Sequence, residues 1–372
     1  MRKIIILSLV LLALAPSARA QTAYEELQAI IRAEVVSISD TREERIMGTD
    51  AMTTVQTVEA RLLESDQSGA VVTFENDLIK LSEGDRIYLN HIEDIDGREL
   101  YVLKDVDRGA GLLWLLVLFV ILLLAFAGWQ GLRALASLSL SIFGIVFLLL
   151  PALLAGYDPV LASLAIAGLI LALALFGTHG FSSVSTLAFG GTLLAVLVTS
   201  TLAWFFVSYL RLSGYGDDAS VYLTFATGGE LDLVGLLLGS IIIGVLGVLD
   251  DISITQAAVV RELRAANNTL SAPELYRRAI RVGRDHVGSL VNTLALAYVG
   301  AALPLVLLFS TSQMPLYFTL NQEVIAAELA RILIGSIGLI LAVPLTTALS
   351  AWWFGGRVVL DGKGTGHYHR HH

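Results

Sequence analysis

The sequence predicts a polytopic α-helical membrane protein with about seven transmembrane helices and a small, β-barrel-like, extracytoplasmic N-terminal domain. Three observations lead to this prediction. The 372-residue chain is 55% hydrophobic and only 15% charged, and its mean hydropathy of +0.74 is too high for a soluble domain. Long apolar runs follow one another after residue 109. The segment before them is acidic and contains short alternating stretches that are typical of β-strands.

The N-terminal stretch 1–20 has the pattern of a cleavable secretory signal. MRKIIILSLVLLALAPSARA begins with Arg2 and Lys3, continues with an apolar core, and ends with a small-x-small pattern, Ala-Arg-Ala. An uncleaved anchor is the alternative, although the apolar core is shorter than the roughly 20 residues that span a bilayer. In both cases the segment that follows is exported.

Residues 21–108 predict a small extracytoplasmic β domain of the OB or SH3 kind. Five stretches combine β-branched residues with alternating polarity and end at turn residues. They cover residues 34–39, 55–63, 70–74, 86–90 and 99–104. This domain has 9 Lys and Arg against 20 Asp and Glu residues, a net charge of −11. Such a surface disfavours nucleic acid as a partner.

Residue content also limits the chemistry. The chain has no cysteine, which excludes disulfides and thiolate sites. No P-loop, HExxH, GxSxG or GxGxxG motif occurs, and we therefore expect neither enzymatic activity nor a cofactor or metal centre. The tail 357–372 ends in HYHRHH. These imidazoles could bind a divalent metal, but an expression tag or a disordered tail explains the pattern equally well.

The apolar runs of the domain 109–356 predict seven transmembrane helices. Helices are expected because lipid offers no hydrogen bonds to the backbone, and each run is about as long as a span requires. The runs cover residues 112–131, 132–155, 159–177, 184–209, 231–260, 286–309 and 330–354. A tight turn at 130–133 should separate the first two.

The distribution of Lys and Arg predicts the orientation. If the N-terminal domain is outside, most arginines of the membrane domain fall on the other side, in the segment 264–284 and in the tail. Positive residues accumulate in cytoplasmic loops. The C-terminus is therefore expected in the cytoplasm.

The segment 264–284 predicts a cytoplasmic amphipathic connector. Ser271 and Glu274 have the spacing of a capping box. In the helix that follows, Leu275, Ala279 and Val282 would share one face, and the arginines could reach lipid headgroups. A solvated basic loop is the alternative.

Asp250 and Asp251 lie within the otherwise apolar stretch GVLGVLDDISITQ. Residues 252–260 carry no charge, which favours a position near mid-membrane over one at the cytoplasmic boundary. A carboxylate there costs on the order of 3 kcal/mol, and two neighbouring carboxylates are not both ionised cheaply. The pair therefore predicts a relay for protons or small cations. A structural, hydrogen-bonded pair is the alternative.

Polar partners for the pair should come from a neighbouring helix. Asn292 and Thr293 in SLVNTLALAY, with Ser289 one turn earlier, are the first candidates. Helix packing is the alternative role for them. Five residues form a second rank of candidates. They are Glu230 and Asp232 before the fifth predicted helix, with Asp285, Tyr298 and Glu323.

Three long stretches resemble the YibE/F-like family of bacterial membrane proteins. They are GVLGVLDDISITQAAVVREL, LSAPELYRRAIRVGRDHVGSLVNTLALAYVGAALPL and LNQEVIAAELARILIGSIGLILAVPLTT. The resemblance extends over most of the mature chain, including the N-terminal domain. It implies the bacterial cytoplasmic (inner) membrane as the location and says little about activity.

A more distant likeness concerns mechanism. A helix with a mid-membrane Asp pair, followed by a basic amphipathic connector and a further span, is similar to one half of the resistance-nodulation-division superfamily, which includes SecD and SecF. In that superfamily the matching aspartates carry protons, which would be Asp250 and Asp251 here. The superfamily pairs two halves, which implies a homodimer. Its large exported domain is replaced here by a short loop near Tyr157, which argues against efflux of bulky substrates.

Three functional hypotheses follow. The first is a proton- or cation-coupled transporter in which the Asp pair titrates. The second is a non-transporting envelope scaffold or accessory factor whose exported domain binds a partner. The third is a passive channel.

Overall fold

The computed structural model describes residues 29–48, 50–63, 68–93, 99–216, 218–311 and 314–358. The chain divides into two compact units, Met1–Ala125 and Phe126–His372. The expected signal, 1–20, and the His-rich end of the tail, 359–372, lie outside the described residues. Both stay predictions.

Five antiparallel strands form the N-terminal domain, in the order β3-β2-β1-β4-β5. They are β1 (Ala29–Arg45), β2 (Met52–Leu62), β3 (Val71–Asn76), β4 (Arg86–Glu93) and β5 (Glu99–Val106). The edge strands β3 and β5 approach each other. The sheet is therefore nearly closed, and the prediction of a small β-barrel-like domain is confirmed.

Alternation along the strands builds the core of this barrel. Ala33 and Val35 of β1 and Val58 and Ala60 of β2 are at most 2% exposed, because successive side chains of a strand point to opposite faces. A buried amide side chain, that of Gln56, adds hydrogen bonds to this core. Gln56 accepts a hydrogen bond from the Leu81 N–H at 2.7 Å and donates to the Leu81 carbonyl at 3.1 Å. These bonds hold the segment after β3 against the barrel.

Two strands are longer than predicted because they pair beyond the barrel. β1 pairs with β4 only up to Glu34, and β2 pairs with β3 only from Gln56. Beyond the barrel, residues 42–45 pair with residues 52–55, and we call this end of the hairpin the β1–β2 arm. Met47 and Met52 on this arm are 98% and 56% exposed.

In the described part of the chain after residue 108, ten α-helices and one π-helical segment follow. They are α1 (Gly109–Gly144), the π-helical segment (Ile145–Leu149), α2 (Leu150–Leu154), α3 (Pro159–His179), α4 (Ser183–Tyr209), α5 (Asp218–Ala226), α6 (Leu233–Ala266), α7 (Ala272–Ala301), α8 (Leu303–Ser310), α9 (Leu316–Asn321) and α10 (Glu323–Gly355).

The described residues contain five helices that are long and apolar enough to cross a membrane, or six if α7 and α8 form one broken span. Seven spans are therefore not confirmed. The difference arises first in the apolar stretch Gly109–Leu154, which counts as one candidate of 46 residues. Its backbone is non-helical at Gly128 (φ 54°, ψ −131°), not at the expected turn 130–133. Glycine permits this positive φ because it lacks a Cβ.

The expected connector is part of a longer helix. The capping box is confirmed, since the Ser271 N–H donates to the Glu274 carboxylate at 2.8 Å. From there α7 runs without a break into the sixth predicted span and is followed by α8 at a bend of 65°. Leu275 and Ala279 are buried as predicted, but Val282 is 48% exposed. Gly283 takes its place, because a Cβ there would lie only 2.5 Å from Gln256 Nε2.

α6 is the central helix of the second unit, in contact with α3, α4, α7 and α10. α4 and α10 also contact each other, and glycines permit their close approach. A Cβ at Gly191 of α4 would lie 2.9 Å from the Thr346 Cα of α10, and one at Gly338 would lie 2.3 Å from Thr199 Oγ1. The three helices α4, α6 and α10 therefore form a tightly packed group.

We expect Gly191→Ala to lower the thermal stability of the detergent-solubilised protein, because the new methyl group pushes α10 away from α4. Gly168→Ala is the matched control. It lies in α3, where a Cβ would meet no atom within 4 Å, and helix propensity favours alanine by roughly 0.5–1 kcal/mol. Equal melting temperatures for the two variants would contradict the close approach.

Candidate functional site

Asp250 and Asp251 lie near the middle of α6. Asp250 is half-buried and Asp251 is exposed, which places Asp251 on the face of α6 that the other helices leave open. No Lys or Arg within the described ranges forms an ion pair with either carboxylate. His179, at the end of α3, interacts electrostatically with Asp251.

Among the described residues, no hydrogen bond joins the three first-choice partners to the Asp pair. Ser289, Asn292 and Thr293 all lie on the exposed face of α7. The Thr293 hydroxyl donates to the Ser289 carbonyl of its own helix at 2.9 Å, which is the ordinary local bond of such residues in helices. The face of α7 that packs inward is the one that carries Ala279, Gly283 and Leu294. The pairing of these polar residues with the aspartates stays a prediction.

Tyr298 is the second-rank candidate that does reach α6. It lies one turn beyond Leu294 on the packed side of α7, and a Cβ added to Gly244 would lie 2.5 Å from its hydroxyl oxygen. Glycine at position 244 thus leaves the space that the phenol occupies. Tyr298 also interacts electrostatically with Glu328 and Arg331 of α10.

The remaining second-rank residues lie at different places in the structure and make different contacts. Asp232 caps α6 by accepting a hydrogen bond from the Gly235 N–H at 3.0 Å, as a helix N-cap does. Glu230 and Asp285 are exposed. Glu323 binds the loop between α4 and α5: its carboxylate accepts the N–H groups of Ser213 and Gly214 at 2.7 and 2.8 Å and the Ser213 hydroxyl at 2.8 Å. Glu323 therefore fastens the start of α10 to that loop.

A buried polar cluster between α6 and α10 was missed from the sequence. Thr346 donates to the Ser253 hydroxyl at 3.1 Å, and Thr347 donates to the Gln256 amide oxygen at 3.0 Å. Gln256 and Ser253 follow the Asp pair by about one turn of α6, and all four residues are at most 1% exposed. The available signal was the run of polar residues in SITQ and PLTT within two otherwise apolar helices.

A charged cavity was also missed. It measures about 600 Å³ and lies between α6, α7, α8 and α10, at the end of the bundle where α6 and α10 begin. We call it the α6–α10 cavity. Glu328 and Arg331 of α10 form an ion pair in its wall, and Arg331 Nη2 also approaches the Ser240 hydroxyl at 3.4 Å. The Glu-x-x-Arg spacing one turn inside an apolar helix was the sequence signal.

A polar and small-residue stripe leads along α6 from this cavity to the Asp pair. Ser240, Gly244, Gly247 and Asp251 succeed one another at three- and four-residue intervals and are all exposed, so they share one helix face. A Cβ at Gly247 would meet no atom within 4 Å. Open space therefore borders α6 between the Tyr298 contact and Asp251.

Together, these apolar helices define an α-helical integral membrane protein, and two adjacent carboxylates lie midway along one of its helices. The protein family model described as YibE/F-like protein matches residues 115–356. The chain therefore belongs to the YibE/F-like family, as predicted, although the match does not include the N-terminal β domain. Neither a curated protein nor a solved structure matches the chain.

The buried cluster should behave as a coupled pair. Thr347→Val removes the donor to the Gln256 amide oxygen and should destabilise the protein by about 1–3 kcal/mol, because a buried acceptor is left unpaired. In a double-mutant cycle with Gln256→Leu, the free energy of unfolding should fall less in the double variant than the two single variants predict together. The difference should be about 0.5 kcal/mol or more. Thr201→Val, at an exposed hydroxyl bonded to its own helix at 2.9 Å, is the control. Strict additivity in thermal unfolding would refute the pairing.

Proposed function

We propose that the protein is a proton- or cation-coupled membrane transporter in which Asp250 and Asp251 bind and release the coupling ion. The observation that carries the proposal is the position of two adjacent carboxylates midway along α6, the helix in contact with four others. The substrate class is considered separately below.

The charges of Asp250 and Asp251 favour binding of a counter-ion for electrostatic reasons. An uncompensated carboxylate in the hydrocarbon interior costs on the order of 3 kcal/mol, and two of them at neighbouring positions repel each other. The described residues supply no arginine or lysine to neutralise them, and His179 reaches only Asp251. Protons or small cations from the solvent are therefore the natural counter-charge. A site that must gain and lose such ions is suited to coupling.

The stripe on α6 supports the same proposal by offering a route. Ser240 and Asp251 are 11 positions apart, which corresponds to about 16 Å at 1.5 Å per residue. Open space borders Gly247, and at Gly244 the path passes the Tyr298 hydroxyl. An ion that enters from the α6–α10 cavity could thus reach Asp251 without crossing the packed core.

The likeness to one half of the resistance-nodulation-division superfamily agrees with this assignment, since an Asp pair carries protons there. It also underlies our proposals that two copies associate and that the protein resides in the bacterial inner membrane. With the arginines of α7 on the cytoplasmic side, and with Gly109–Leu154 crossing the membrane twice about the backbone break at Gly128, the β domain is extracytoplasmic and the C-terminus cytoplasmic.

In proteoliposomes with an enclosed pH-sensitive dye, wild-type protein should conduct protons under an imposed gradient, alone or with a candidate ion added. Asp250→Asn and Asp251→Asn should each reduce this flux by at least about 10-fold, because an amide does not titrate. Glu262→Gln is the matched control. It changes an exposed carboxylate near the end of the same helix and should leave the flux unchanged.

Two other results would redirect the assignment. Flux that persists in both Asn variants and follows only the electrochemical gradient would indicate a passive channel. An absence of flux in folded wild-type protein under every ion and potential tested would exclude the relay.

The second candidate function is an envelope scaffold whose β domain binds a partner. One observation favours it: the β1–β2 arm extends beyond the barrel and exposes Ile46, Met47 and Met52. Exposed apolar side chains on a projecting hairpin are typical of a docking element. In that case deletion of residues 21–108 should abolish the cellular function, and Asp250→Asn should retain it.

A further inference from the structure

The α6–α10 cavity has the dimensions of a small-molecule site. Its volume of about 600 Å³ falls within the range of roughly 300–1,000 Å³ that ligand pockets occupy. Leucines of α6 and α8, alanines of α7 and α10 and Val324 supply the larger apolar side chains of its wall. Its polar side chains include Ser240, Tyr298, Glu328 and Arg331. An apolar chamber with a few convergent polar groups suits a ligand that has an apolar body and one polar end.

Arg331 supplies an unused hydrogen-bond donor in this wall. Two arms of its guanidinium are engaged, one by Glu328 and one by Ser240. Its Nε–H is buried and has no acceptor among the described residues. A buried donor without a partner costs free energy, and native proteins rarely keep one without a reason. A ligand oxygen that accepts this N–H would remove the cost.

Tyr298 supplies a second donor to the same chamber. Its hydroxyl makes no hydrogen bond with another described residue, and the phenol lies in electrostatic reach of Arg331. The Ser240 hydroxyl, by contrast, already donates to the Leu237 carbonyl at 2.8 Å. Near Arg331, two donors are thus free to bind a ligand, and one of them is charged.

A carboxylate matches this arrangement. It carries two acceptor oxygens and no donor, and hydrogen bonds from a guanidinium to a carboxylate are among the strongest in proteins. Glu328 keeps Arg331 neutralised while the site is empty, so that no lone charge stands in the membrane domain. It also repels an incoming anion and so limits affinity.

We propose that the α6–α10 cavity binds a small organic carboxylate, with its apolar body against the leucines and its carboxylate on Arg331 Nε and the Tyr298 hydroxyl. Only the description of this ligand as a substrate rests on the proposed transport function. Binding itself does not. The site joins the stripe on α6, so that ligand and coupling ion would occupy two ends of one route.

The test is a binding measurement on the full chain in phosphatidylcholine nanodiscs, by isothermal titration calorimetry with empty nanodiscs as background. Hexanoate is the probe. Hexanamide, a neutral analogue with the same body, and hexylammonium, its cationic counterpart, are the comparisons. Hexanoate should bind at least about 10-fold more tightly than either, the size expected for one charge-assisted hydrogen bond.

Four variants test the assignment of the donors. Arg331→Gln should weaken hexanoate binding by about 10-fold or more, and Tyr298→Phe by about 3- to 10-fold. Glu328→Gln should strengthen binding several-fold, because it removes the repelling charge and keeps an acceptor for Arg331. A residue with a merely structural role would not produce this opposite sign. Tyr222→Phe, at an exposed tyrosine of α5 outside the cavity wall, should have no effect.

Three results would overturn the proposal: no hexanoate signal above that of empty nanodiscs, tighter binding of hexanamide or hexylammonium, or wild-type affinity in Tyr298→Phe. The latter variant retains the aromatic ring, which guards against misfolding as the cause of a loss. Asp250→Asn separates this proposal from the transport function. It should retain hexanoate binding while it abolishes proton flux. If the wild-type protein binds hexanoate but shows no proton flux, the carboxylate site is supported and the relay is contradicted. If it shows flux but does not bind hexanoate, the relay is supported and the carboxylate site is contradicted.

Discussion

A bilayer interior offers no hydrogen-bond partner and no counter-ion, and the structure of the membrane domain depends on this constraint. Most hydroxyls on the spanning helices satisfy it locally. Thr192 and Thr199, for example, donate to carbonyls one turn back in their own helix, at 2.9 and 2.7 Å. Gln256 satisfies it across helices through Thr347. Asp250 and Asp251 have neither solution among the described residues, and our proposal that they bind an ion from outside the chain rests on this difference.

Small residues on α6 and its neighbours allow one face of α6 to pack closely while another face stays open. Where α10 must come near, glycine or a small residue allows contact, as at Gly335, whose added Cβ would lie 2.7 Å from Val245. On the opposite side of α6, glycines serve a different purpose, since Gly244 receives the Tyr298 hydroxyl and Gly247 borders open space. One helix thus combines a sealed face that holds the bundle together with an open face that carries its ionisable groups. The proposed transport function would use both faces, because ions would move beside helices that stay packed.

Features that depend on interactions between residues close in sequence were predicted correctly, and features that depend on contacts between distant residues were not. The five strands of the β domain and the capping box at Ser271 were predicted because alternation and capping act between near neighbours. The break in α1 at Gly128, one turn before the expected one, and the continuity of α7 through the connector were not. The break depends on how a long apolar stretch is accommodated, because apolar composition alone does not place a break within it. The continuity of α7 instead accompanies the packing of a basic, amphipathic segment against α6 and α10.

The sequence by itself determined that this is a helical membrane protein with a β domain before it, that it belongs to the YibE/F-like family, and that an Asp pair stands within an apolar helix. Only the tertiary structure decided the neighbours of that pair. It turned Asn292 and Thr293 outward, brought Tyr298 onto α6, and placed Arg331 beside a cavity. The physical reason is that the sequence does not fix the rotation of each helix about its own axis. Spacing along a chain shows which residues share a helix face, but packing against other helices decides which face turns inward.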